Sequence, residues 1–279
     1  MERRGLDAHG YFEREGSLGR VQGEFRDVVA AARERTAEAY GRRLHSAYLY
    51  GSVPRGTARP GRSDLDLLLV LHRTPSDEDR DTAEVLARGI DEDFAQIDGV
   101  DLLLHDKDTV LSEEERFDLG WFLACLCTPL LGADLAEHLP RYRPDSLLAR
   151  ETNGDLAALL PRWRAELREA SAPEEYRRLS RLFARRLVRT GFTLVMPRWG
   201  GWTSDPTEAA EVFGFYYPER AAQMRAAAAV ALDPVEDPAV PRIYVEDLGP
   251  WLADEYTARH GTKSPRPART TPEERPSAR

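Results

Sequence analysis

Apolar and polar positions fall into two regimes along the chain. In the first half, short apolar runs alternate with longer stretches of helical period. HSAYLY ends at Tyr50, LDLLLVL spans 65–71, and VDLLLH covers 100–105. Short runs of this kind, punctuated by Gly, Pro and Ser, read as strands. Between them, residues 17–41 place Leu18, Val21, Phe25, Val28 and Val29 near helical spacing, and 76–94 reads as a second helix. A further helix is expected from Ser112, with Ser112 and Glu115 as a capping box, to Cys127. TPLLGADL (128–135) reads as a short strand and turn.

After HLPRYRPD (138–145), a stretch with two prolines, the pattern changes to helices alone. Segments near 146–170, 173–196, 206–214, 218–232 and 244–258 are rich in Ala, Arg, Leu and Glu. Leu179, Leu182, Phe183, Arg186, Leu187 and Phe192 mark one stripe, which reads as core. MPRWGGWTSDP interrupts the helices, and its Trp199 and Trp202 suit either a core plug or a stacking surface. The expected organisation is an α/β unit at 1–142, an all-helical unit at 143–259, and a disordered Pro/Arg-rich tail at 260–279.

Charge narrows the function. The 279 residues carry a formal net charge of −9. Such a surface fits a long phosphate backbone poorly, so nucleic acid is not the expected partner, whereas a cationic small molecule is. The N-terminus MERRGLDAHG has no apolar signal segment, and no run is long enough to cross a bilayer, so a cytoplasmic chain without membrane contact is expected. Cys125 and Cys127 lie inside an apolar run and read as reduced core. The six histidines show no zinc-like spacing.

The richest chemistry lies in GSVPRGTARPGRSDLDLLLV (51–70). Gly51 and Ser52 follow a strand, so their backbone N–H groups and the Ser52 hydroxyl can face a phosphate; Ser52 also suits an N-cap. Arg55 suits a phosphate contact or a surface ion pair. Asp64 and Asp66, two apart at a strand start, point to one face. Two hard carboxylates on one face suit Mg²⁺, with nucleotide phosphates completing its coordination. An acid within LDLLLVL is costly unless it is paired or metal-bound.

Gly-Ser, Arg55-Gly56 and Ser63-Asp64-Leu65-Asp66 before aliphatics resemble the signature of the polymerase-β-like nucleotidyltransferases, over roughly residues 45–105. The resemblance implies a small mixed sheet and a third carboxylate on a neighbouring strand. Asp101, at the head of an apolar run, is the candidate, ahead of Asp98 and Asp106. It further implies Gly51, Ser52, Arg55 and Ser63 as nucleotide-binding residues and Asp64, Asp66 and Asp101 as catalytic metal ligands. Two Mg²⁺ ions and ATP or another NTP are then the expected cofactors, with Asp101 a metal ligand, a general base or both. The helical second half is similar to that of the aminoglycoside 3″/9-adenylyltransferases, which implies an aminoglycoside-like hydroxyl acceptor. Thr203 and Ser204 stand where that family has a nucleotide-binding Lys, leaving Arg198 or another base to replace it. The alternative from the interaction class is a nucleotidyltransferase-type antitoxin that modifies a helical toxin; such chains are usually one short domain.

Overall fold

Leucines fill LDLLLVL because both faces of that strand are covered. The computed structural model describes residues 4–266. Strands β1 (Leu44–Tyr50), β2 (Leu65–Leu71), β3 (Val100–Asp106) and β4 (Thr128–Gly132) form one mixed sheet in the order β3-β2-β1-β4. The β2–β3 pair is parallel and the other two pairs are antiparallel. Helices α1 (Arg26–Tyr40) and α3 (Asp77–Asp93) cover one face, where Leu65, Leu67, Leu69 and Leu71 meet Val28, Ala32, Leu86 and Ile90. The short α2 (Ser52–Arg55) follows β1. On the opposite face Tyr48, Leu68 and Val70 pack with Val110 of α4 (Lys107–Leu111), Leu119 of α5 (Leu119–Trp121), and Leu123 and Cys127 beyond it. Each fully buried Leu of β2 contributes roughly 2 kcal/mol, and a parallel pair needs a long crossover. Helix α3 supplies it, started by the capping box of Ser76 and Asp79.

Two expected helices are broken. Residues 17–25 form two 3₁₀ turns, Leu18–Arg20 and Gly23–Phe25, before α1 begins; Gly19 and Gly23 weaken any α-helix there. In the 112–127 segment the Glu115 N–H does donate to Ser112 Oγ at 3.3 Å. The Glu115 carbonyl then accepts from both Asp118 and Gly120, which closes a turn, and α5 runs on as a π-helix, Phe122–Leu126. Cys125 and Cys127 are buried free thiols, and burial raises Cys125 to about 12.

The second half is built on α8 (Pro173–Trp199), whose Leu179, Phe183, Leu187 and Phe192 are buried; Leu182, expected in that stripe, is exposed. Around it lie α6 (Ser146–Asn153), α7 (Leu156–Glu169), α9 (Pro206–Tyr216), α10 (Ala221–Leu232), α11 (Ala239–Ile243) and α12 (Gly249–His260). The expected helix 146–170 splits at Gly154, where an added Cβ would lie 2.8 Å from the Lys263 backbone nitrogen. Residues 261–266 run over this point as a strap. Lys263 pairs with Asp118, and the buried Glu151 accepts from Ser264 Oγ at 2.8 Å and Arg266 Nη1 at 3.1 Å. The rest of the expected tail, 267–279, lies outside the described residues. No helix among the described residues is long and apolar enough to cross a membrane.

Trp202 sits in an aromatic knot, edge-on to Phe12, Trp121 and Phe192, and Trp199 is edge-on to Phe192. These rings pack against the helical core rather than standing in solvent. Phe12 is the contribution of the N-terminal segment, which at this residue closes against the second half.

Candidate active site

Strand register decides which acids meet. Tyr50 on β1 is opposite Asp66 on β2, and Asp66 is opposite Asp101 on β3. Cross-strand partners share a face, so these three side chains form one row, with Asp64 two residues before Asp66 on the same side. The competing acids go elsewhere. Asp106, at the far end of β3, caps α4 through Thr109. Asp98 is exposed ahead of the strand.

Gly51 makes room for this row. It adopts φ +75, and a Cβ there would lie 1.8 Å from Asp66 Oδ2. Only glycine satisfies both the positive φ and that approach. Gly51 is the N-cap of α2, so Ser52 is its first helical residue and its hydroxyl makes no capping bond. The expected Ser52 cap is therefore replaced: the turn begins one residue earlier because Gly51 can take a conformation that Ser52 cannot. Ser63 Oγ accepts from the Arg59 N–H at 2.9 Å and closes the loop into β2. Arg55 Nη1 reaches Glu15 Oε2 at 3.4 Å, and the same carboxylate oxygen accepts from Ser204 Oγ at 2.9 Å.

The electrostatics set this row of acids apart. Burial first, then the charges of Asp64 and Asp101, lift the Asp66 carboxyl to about 7. Burial also raises Asp64, against the pull of Arg181 and Arg185. Tyr50 donates to Asp101 Oδ2 at 2.8 Å; burial and the charges of Asp101 and Asp66 push its phenol far above the usual range, so it remains a donor. As placed, no three metal-ligating side chains among the described residues converge to enclose an ion. Asp101 is turned toward Tyr50, and Asp64 Oδ2 lies 3.8 Å from Arg181 Nη2. The donor set nevertheless fits a hard divalent cation, because mutually repelling carboxylates on one face lose that repulsion when a cation is shared.

Sequence reasoning missed Tyr50, Arg181 and Arg185. A tyrosine within an apolar strand reads as core, and arginines on a helix read as a solvated face. Arg185 is open to solvent at the cleft wall, yet protein atoms crowd its guanidinium; this burial, then the charge of Arg181, lowers its pKa. Arg198, named as a replacement for the missing Lys, stacks on Tyr216 at 4.3 Å from the ring centroid.

Comparison with known proteins agrees with this construction. The family model described as a nucleotidyltransferase domain matches residues 30–119, which include every acid of the row. No curated protein matches the chain. A crystal structure of spectinomycin adenyltransferase AAD(9) from Enterococcus faecialis with ATP and spectinomycin superposes with a TM-score of 0.51. It shares 14% identity and the match covers 83% of this chain and 98% of that one, which shows a common fold. Residues 30–119 thus carry a nucleotidyltransferase domain, and the chain as a whole shares the fold of that adenyltransferase, helical second half included.

Proposed function

We propose that the chain moves AMP from ATP to a hydroxyl of a small acceptor and releases pyrophosphate. The observation that carries this reading is the row of Asp66 and Asp101 in strand register, with Asp64 on the same face, beside the Gly51 turn. Asp64 and Asp66 would hold Mg²⁺, and Asp101 would share a second ion; the cation supplies neutralisation of phosphate charge. The Gly51–Ser52 turn presents N–H groups and a free hydroxyl to the phosphates. Asp101, held by the Tyr50 phenol, is placed to accept the acceptor's hydroxyl proton as its oxygen bonds to the α-phosphorus and the bond to pyrophosphate breaks. The ATP bound by the spectinomycin adenyltransferase supports adenylyl over other nucleotidyl groups, and its spectinomycin supports a small acceptor.

The test is incubation with each labelled NTP, Mg²⁺ and a panel of small hydroxyl compounds, with product mass and pyrophosphate release as readouts. ATP should be used best, and Asp66→Asn should abolish transfer while its melting curve stays cooperative. An Asp66→Asn protein with full activity refutes the reading.

A further inference from the structure

Beside the acids, the first half of α8 opens into a pocket of about 380 Å³ lined by Arg177, Arg178, Arg181, Arg185, Glu174 and the exposed Leu182, with Pro234 opposite. Arg177, Arg181 and Arg185 recur every four residues and so lie on one ridge of the helix. Four arginines against one glutamate is a marked reversal in a chain of net charge −9. Few of these charges are fixed by direct contacts. Arg178 and Arg185 make no ion pair or hydrogen bond among the described residues, and Arg177 reaches only the Pro234 carbonyl at 3.1 Å. Arg181 is at the inner end, 3.8 Å from Asp64.

Apart from Glu174, which lines the pocket, the acids of α8 and α9 nearest to it in sequence are engaged within the protein. Glu175 accepts from the N–H groups of Ser171 and Ala172 at the start of α8. Asp205 caps α9, Glu208 accepts from Thr203 Oγ1, and Glu211 pairs with Arg225. A polycation entering this pocket would face four like charges. An anion would face four donors, some of them paired with nothing else.

We infer that this pocket binds the acceptor, and that the acceptor carries an anionic group, a phosphate or carboxylate, remote from its reacting hydroxyl. The inference rests on the transfer reading above and narrows it. Arg177 and Arg185 are eight residues apart, about 12 Å along a helix at 1.5 Å per residue, which is the span of a small metabolite with its hydroxyl at Asp101 and its anion toward Arg177 and Arg178. On that reading the nucleotide's own charge would be met by the cation and the Gly51–Ser52 turn, which leaves the arginines for a second anion.

The experiment uses inorganic phosphate as the anionic probe and spectinomycin as the cationic one. Each is titrated by calorimetry into the full chain saturated with Mg²⁺ and a non-hydrolysable ATP analogue. Phosphate should bind saturably, and Arg177→Ala/Arg178→Ala should weaken it about tenfold, as loss of charge-assisted bonds requires, while the analogue's own affinity changes far less. Both arginines are exposed, and a melting curve checks that the variant is folded. Phosphate that binds only before the analogue is added would assign the arginines to the triphosphate and overturn the proposal. So would saturable spectinomycin binding, or phosphate affinity indifferent to the double substitution. If the analogue and Mg²⁺ fail to bind at all, the transfer reading falls; if they bind and phosphate does not, only the anionic acceptor does.

Discussion

The Tyr50 phenol reaches across β2 to donate a hydrogen bond to Asp101 Oδ2 on β3, 2.8 Å away. The strand between them carries Asp66, so Tyr50 bridges the two acids of the row while touching one of them by hydrogen bond. Phe122 meets the Tyr50 ring edge-on at 5.1 Å and fixes its orientation.

Tyr50→Phe keeps the ring and removes only the donor. The expected result is a fall in kcat of about tenfold with a smaller change in KM for ATP, since the loss concerns the orientation of a proton acceptor. Stability should drop by about 1 kcal/mol, the net worth of one hydrogen bond. Steady-state kinetics and a denaturant melt check both; unchanged kcat would remove Tyr50 from the site.

Gly51→Ala sets a methyl group against the Asp66 carboxylate and forces a positive φ on a residue with a Cβ. We expect destabilisation of about 2–4 kcal/mol from strain and displacement together, and transfer reduced more than a hundredfold. A variant that melts like the wild type would mean that the turn can re-form with Asp66 elsewhere.

Ser52→Ala separates cap from ligand contact. The hydroxyl caps nothing in the folded chain, so stability should change by less than about 0.5 kcal/mol. KM for ATP should rise several-fold, the equivalent of about 1 kcal/mol for one hydrogen bond to phosphate. An unchanged KM would leave only the backbone of this turn in nucleotide binding.

Asp79 offers a pH test remote from the site. Burial pushes this carboxyl up, but its bonds with Ser76 and the charges of Arg43 (2.5 Å) and Arg73 outweigh burial and hold it below its usual 3.8. A depressed carboxyl stabilises the fold above the unfolded value and ceases to do so as pH falls through the folded one. Asp79→Asn should therefore cost about 2–4 kcal/mol at pH 7, allowing for the partly exposed Arg43. Urea melts at descending pH should show the gap narrowing below pH 3.8; a gap that persists would trace the cost to packing.

The strands and the acid row were legible because their signals are local. Leu67 to Leu71 can be apolar throughout only in a strand covered on both faces, and the spacing of Asp64 and Asp66 fixes their common side. Asp101 was singled out over Asp98 and Asp106 because it heads an apolar run, but its pairing with Asp66 needed the register of a parallel pair, which no local pattern states. The helix break at Gly154 comes with a long-range backbone contact, Lys263 against Gly154, whereas those near Gly23 and Glu115 are local, from glycine and from a turn closed on the Glu115 carbonyl. The place of the α8 arginines was not legible because a helical sequence does not reveal which polar face looks into a cleft.

The strap at 261–266 also sets an order of events during synthesis. Glu151 is buried, and two of its partners, Ser264 and Arg266, are among the last described residues. As the chain emerges from the ribosome, α6 must wait with this carboxylate matched only by Arg150, 2.9 Å away, until more than a hundred further residues have followed. The helical half can therefore gather its apolar core early, but this carboxylate gains its last partners only once residues 264–266 are in place.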